Sequence, residues 1–209
     1  MTASPLSAAL PISTSRDVTL GVVLMLIFAA FAPVIDVFAK LAAAEVPAAE
    51  ITLGRFLTQT LLLTPIVIWR GALARVSLRD AGLHGLRGVL MAMATVFFFA
   101  ALKYMPIADA IAIFFVEPMI VTVLSGLLLG EPVGWRRYAA AAVGFGGAML
   151  VIQPSFVELG WTSALPLGTA FCFAFYLILT RMLAPRVDPF AMQAYSGVAG
   201  AAFIGVVLW

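Results

Sequence analysis

Seven apolar stretches, most of them close to 20 residues long, set the limits on how this chain can fold. They run from Val18 to Ala39, Ala48 to Trp69, Leu86 to Leu102, Pro106 to Leu129, Tyr138 to Ile152, Trp161 to Thr180 and Pro189 to Trp209. A helix of about 20 apolar residues crosses the hydrocarbon core of a bilayer. A strand in lipid must instead join a closed barrel, whose strands alternate in polarity over about 10 residues. These stretches do not alternate, so all are expected to be helical. Composition agrees: 64% of the 209 residues are hydrophobic and 11% charged, against about 45–50% and about 25% in soluble domains. One soluble core could not hide that excess, so the lipid bilayer must cover it. The expected fold class is an all-α membrane protein, a polytopic helical bundle.

Orientation follows from the basic residues. With a cytoplasmic N-terminus, Arg16, Arg70, Arg75, Arg79, Arg87, Arg136, Arg137, Arg181 and Arg186 lie inside. Lys40 and Lys103 lie outside, and Arg55 sits within a span. Nine against two is a strong positive-inside bias. Residues 1–17, rich in Ala, Ser and Pro, are expected to form a disordered cytoplasmic segment. The apolar run after them is longer than a signal-peptide core and has no cleavage pattern, so it is read as a retained span. The Ala/Gly/Arg-rich composition hints at a bacterium with GC-rich DNA, and the expected location is the bacterial inner (plasma) membrane.

Several function classes drop out. The basic residues are scattered singly, which excludes a nucleic-acid surface. One cysteine, Cys172, cannot form an internal disulfide, and one histidine, His84, cannot build a multi-histidine metal site. No Gly-rich phosphate loop, GxSxG or HExxH occurs. Neither an enzyme, a metal nor a cofactor is expected.

A weak internal repeat appears at a shift of 141 residues, which lays Lys40 on Arg181 and Glu45 on Arg186. One repeat then holds five spans, an odd number, so the next copy enters the membrane inverted, a recurring design in secondary transporters. The chain stops at Trp209, at the end of a span. A second five-span half would need about 90 more residues, so the chain is expected to be a truncated product or fragment.

The stretch Leu86 to Pro154 reads LRGVLMAMATVFFFAALKYMPIADAIAIFFVEPMIVTVLSGLLLGEPVGWRRYAAAAVGFGGAMLVIQP. Its Leu-Arg-Gly opening, Ala-Leu-Lys-Tyr-Met-Pro hairpin, Leu-Gly-Glu-Pro loop and small-residue fifth helix ending at Gln153-Pro154 resemble the EamA-type drug/metabolite transporter superfamily. The Gly54-Arg55-Phe56 triplet fits the same pattern. The resemblance covers roughly residues 18 to 209. It implies ten helices in two inverted five-helix repeats, a central substrate cavity and alternating access; seven helices are seen here. On this scheme 18–154 is the first repeat, and 155–209 holds the first two helices of a truncated second. The implied function is secondary transport of a small-molecule substrate across the membrane. The alternative is a non-transporting fragment or scaffold that needs a partner to complete the fold. Relatives handle amino acids, nucleosides, riboflavin, S-adenosylmethionine or organic cations. The family often carries Ser-Pro in helix four, where this chain has Glu117-Pro118.

Candidate pathway residues follow from depth. Glu117 lies 11 residues from Pro106 and 12 from Leu129, roughly 17 Å from either end of its span. A carboxylate there is costly unless paired, hydrated or protonated. Pro118 removes a backbone donor and so breaks the helix one turn earlier, a feature that commonly lines a cavity. Glu117 is therefore a candidate to face the substrate cavity, binding a cationic or hydrogen-bonding group or carrying a coupling proton; the competing role is a structural carboxyl. Asp36 and Arg55 sit at similar depth near the outer ends of helices one and two, as a structural clamp or a substrate-binding pair. Asp109, two turns outside Glu117, marks an outer vestibule or serves the helix dipole. Phe97, Phe98, Phe99, Phe114, Phe115, Phe171, Phe175 and Tyr176 could stack a flat ring but more often pack or face lipid. Gly126 with Gly130, and Ala140 with Gly144 and Gly147, make close-approach faces for packing, for sliding or for a homodimer. Arg136 and Arg137 beside Glu131 read as topology anchors.

Overall fold

The computed structural model describes residues 15–72, 78–152, 160–185 and 187–209. Among them every regular element is helical: α1 Ser15–Ala42, α2 Ala48–Trp69, α3 Leu78–Tyr104, α4 Ile107–Phe114, α5 Glu117–Leu129, α6 Trp135–Ile152, α7 Ala164–Leu183 and α8 Pro189–Leu208. A 3-10 turn, Gly160–Ser163, leads into α7. Residues 1–14 of the N-terminal segment lie outside the described residues, as do Arg75, Arg186 and the Gln153-Pro154 end of helix five.

The all-helical expectation holds. Six stretches among the described residues are long and apolar enough to cross a membrane: Thr19–Ala43, Ala48–Trp69, Asp80–Tyr104, Ile107–Leu129, Gly160–Leu183 and Pro189–Leu208. The sequence reading expects a seventh. That segment does form a helix, α6, of 18 residues, whose described part opens on Trp135-Arg136-Arg137-Tyr138 and is not among the six.

The helix ends carry ordinary chemistry. Asp188 caps α8, its Oδ1 accepting from the N–H of Phe190 at 2.9 Å and of Ala191 at 3.3 Å, with Pro189 just inside. Gly130 ends α5 in the left-handed region at φ 66°. Threonine hydroxyls within the spans bond back to the carbonyl four residues earlier, as at Thr52, Thr60, Thr95, Thr122 and Thr180. A hydroxyl satisfied within its own helix can sit at membrane depth.

Two compact units divide the chain, 1–38 and 39–209. In the second, α3 packs against both α7 and α8, and α8 packs against α2. Phe56, Ala92 and Ile204 form the core where α2, α3 and α8 meet. Val67, Ala191 and Ala194 extend it along α2 and α8, and Val121, Ala174 and Ile178 join α5 to α7. Glycine sets the spacing of the first group. A Cβ at Gly88 would come within 2.6 Å of Ala199 Cβ, and one at Gly200 within 2.7 Å of the Phe56 ring. The expected close-approach faces are not these. Gly144 and Gly147 have nothing within 4 Å of a built Cβ, and Gly126 has only ordinary contacts, the nearest Val133 at 3.5 Å.

Candidate functional site

Pro118 shapes the centre of the fourth apolar stretch. It offers no N–H to the carbonyl of Phe114, and the stretch divides there: α4 stops at Phe114, Phe115 and Val116 form a turn, and α5 restarts at Glu117. The break falls where Pro118 predicts it. Glu117 is half-buried, on the same stripe of α5 as Val121 and Ser125, which are buried toward α7. Among the described residues no hydrogen bond or ion pair holds its carboxylate.

The other expected pathway residues lie on α1, α2 and α4. Asp109 occupies the first turn of α4, after the Pro106 cap, where an acid complements the helix dipole. The turn at 115–116 interrupts the eight-residue register that was expected to align it with Glu117. Arg55 of α2 donates from Nη1 to Thr95 Oγ1 on α3, and its guanidinium lies 5.7 Å from the Phe56 ring centroid. Asp36 lies on α1 in the first unit, one turn before Lys40. Lys40 closes the C-terminal end of α3, donating from Nζ to the carbonyls of Leu102 at 2.7 Å and Met105 at 2.9 Å.

The most polar buried cluster escaped the sequence reading. Arg87, expected as an inner-side topology anchor, is 3% exposed. The reason is that α3 begins at Leu78 and not at Leu86, so Arg87 lies more than two turns inside the helix. Its Nε donates to Thr180 Oγ1 at 2.8 Å, Nη1 to Ser196 Oγ at 2.6 Å and Met192 O at 2.8 Å, and Nη2 to Tyr176 Oη at 2.6 Å and Gln193 Oε1 at 3.0 Å. Its plane lies 4.4 Å from the Tyr176 ring centroid. Gln59 of α2 joins the cluster by donating to Gln193 O at 2.9 Å. One turn before Arg87, His84 is equally buried against Tyr195, with a ring spacing of 5.2 Å. A signal for this cluster existed: Tyr176 with Thr180, and Gln193 with Ser196, are polar pairs at helical spacing inside otherwise apolar runs.

The aromatics divide. Phe98, Phe114, Phe173 and Tyr176 form a continuous row with ring spacings of 6.3, 5.7 and 5.5 Å, the last pair stacked. Phe97 packs over Gly168, and Phe99 is buried. Phe115, Phe171 and Phe175 are exposed, as lipid-facing residues would be. Below α5, Glu131 Oε2 lies 3.6 Å from Arg137 Nη1 and 3.8 Å from Arg181 Nη1, and Arg181 also donates to Ser125 Oγ at 2.9 Å. Arg137 is thus tied across the loop to Glu131.

Residues 19–153 match the model of the EamA-like transporter family. The chain belongs to that family. Among its relatives, a riboflavin transporter of Vibrio cholerae is 30% identical over 150 residues, which cover 71% of this chain and 50% of the relative. An S-adenosylmethionine uptake transporter of Rickettsia prowazekii is 24% identical over 166 residues, covering 79% of this chain and 56% of the relative. The chain therefore spans about half the length of these relatives. A solved crystal structure superposes with a TM-score of 0.62 at 22% identity, covering 83% of this chain and 62% of that one, a likeness of fold alone. Glu117, Pro118, Arg87, Glu131 and Arg137 all fall within the segment that matches the EamA family model.

Proposed function

We propose that this chain moves a small organic solute across the cytoplasmic membrane of a bacterium by alternating access, with its N-terminus inside. The observation that carries the reading is Glu117: a half-buried carboxylate at a helix break in the middle of a span, with no bonding partner among the described residues. An ionisable group at that depth marks a solute or proton path more often than a structural bond. On this reading Glu117 takes a cationic or hydrogen-bonding group of the solute, or the coupling proton. Arg55, Asp36 and Asp109 belong to the outer part of the polar path, and Pro118 keeps the break open. Residues 18–154 form one five-helix repeat, and 155–209 begin a second of opposite orientation.

The test is uptake by the chain reconstituted into liposomes, with riboflavin and S-adenosylmethionine as probes because relatives are named for them. Uptake should exceed that of protein-free vesicles, and Glu117→Gln should lower it by about tenfold or more, a loss of roughly 1.4 kcal/mol of pathway stabilisation. Equal uptake by Glu117→Gln and the parent chain across the pH range would remove Glu117 from the path. A second reading is favoured by the chain's span of about half its relatives: a second copy or another membrane partner completes the path. Mass measurement in detergent separates the two, since a homodimer has twice the 22.1 kDa chain mass.

A further inference from the structure

We propose that Arg87 anchors a carboxylate of the transported solute at the seam of α3, α7 and α8; this rests on the transporter reading and adds the solute's charge. Arg87 is buried at membrane depth, and all five of its hydrogen bonds end on neutral oxygens. Among the described residues no carboxylate pairs with it. Supply is not the constraint, because the chain has ten Asp and Glu residues. A guanidinium held in low dielectric without a counter-ion is costly, and such groups in membrane spans typically serve a ligand or ion.

The geometry divides the guanidinium into a fixed edge and an exchangeable one. Nε and Nη1 are tied to Thr180, Ser196 and the Met192 carbonyl, which set the plane. Among the described residues Nη2 is held by the side chains of Tyr176 and Gln193 alone, whose own polar atoms are 3.3 Å apart. Both side chains can rotate, and both carry donors that a carboxylate could accept once it replaces them on Nη2. The exchange trades neutral acceptors for a charge-assisted bond. His84, on the same α8-facing stripe one turn away, is 3% exposed with neither ring nitrogen hydrogen-bonded among the described residues. It supplies spare hydrogen-bonding capacity beside the guanidinium.

The experiment measures binding, by thermal shift of the purified chain in detergent. The probes are three acids, each with its decarboxylated amine: S-adenosylmethionine, tryptophan and lysine. For at least one pair the acid should bind about tenfold or more tighter than the amine. Arg87→Lys, which keeps the charge and loses the planar fork, should reduce that ratio to about threefold or less. Gln193→Glu sets a carboxylate against Nη2; it should fold at least as stably as the parent and lose the preference for the acid. No preference in any pair overturns the proposal, as does a preference that both variants retain. A preference that depends on Arg87 upholds the proposal even where liposome uptake fails. Uptake that survives without such a preference upholds only the transporter reading.

Discussion

At the scale of single residues, one hydroxyl joins two helices. Thr95 is buried, accepts from Arg55 Nη1, and donates to Met91 O at 2.8 Å. Thr95→Val keeps the shape and removes the acceptor from a charged donor. It should lower unfolding free energy by about 1–3 kcal/mol, measured by steric-trap or mixed-micelle unfolding. Unchanged stability would mean the guanidinium bonds as well elsewhere. Glu117 was legible from sequence because depth along a span can be counted from its ends, and a mid-depth acid stands out. Arg87 was not, for two reasons. Its burial depends on where α3 starts, and residues 78–85 are polar enough to read as loop. Its partners stand 89 to 109 positions away along the chain, and nothing local reveals them. Only the matching polar spacings in the later spans hinted at a shared layer.

At the scale of elements, the membrane made most of the fold readable. Lipid forces each apolar run to satisfy its own backbone, so run length gave helix number to within one, and proline chemistry gave the break between α4 and α5. Packing faces were harder. The pattern of small residues singled out Gly144 and Gly147, yet the tight approach is at Gly88 and Gly200. Small residues permit a close approach without requiring one, and the neighbour that exploits it comes from another helix. Ser196 and Gly200, four apart on α8, were the available cue. Gly200→Ala would push a methyl to 2.7 Å from the Phe56 ring, which is itself fully buried. Destabilisation of about 1–3 kcal/mol is expected. Phe56→Leu in the same chain should recover part of that loss, a coupling that the double-mutant cycle reads directly. Strict additivity would show that α8 shifts away as a rigid body.

At the scale of the whole molecule, orientation rests on charge rather than on shape. Two of the inner arginines are accounted for by contacts on the proposed cytoplasmic side: Arg137 and Arg181 both lie within 4 Å of Glu131. Lys40, on the proposed outer side, is absorbed by the end of α3. A cation committed to a protein oxygen contributes less to anchoring than one facing anionic lipid, so of the adjacent pair the bias should depend more on the exposed Arg136 than on Arg137, which Glu131 already holds. The measurement uses single cysteines in a Cys172→Ser background. Lys103→Cys should react with a membrane-impermeant thiol reagent added to intact cells, whereas Arg136→Cys should react only after permeabilisation. Removing both Arg136 and Arg137 should produce a mixed population at Lys103→Cys, because the positive side then loses two adjacent cations, the exposed Arg136 among them. If the intact-cell pattern is reversed, the N-terminus is outside. The Glu131 bridge would then face the exterior.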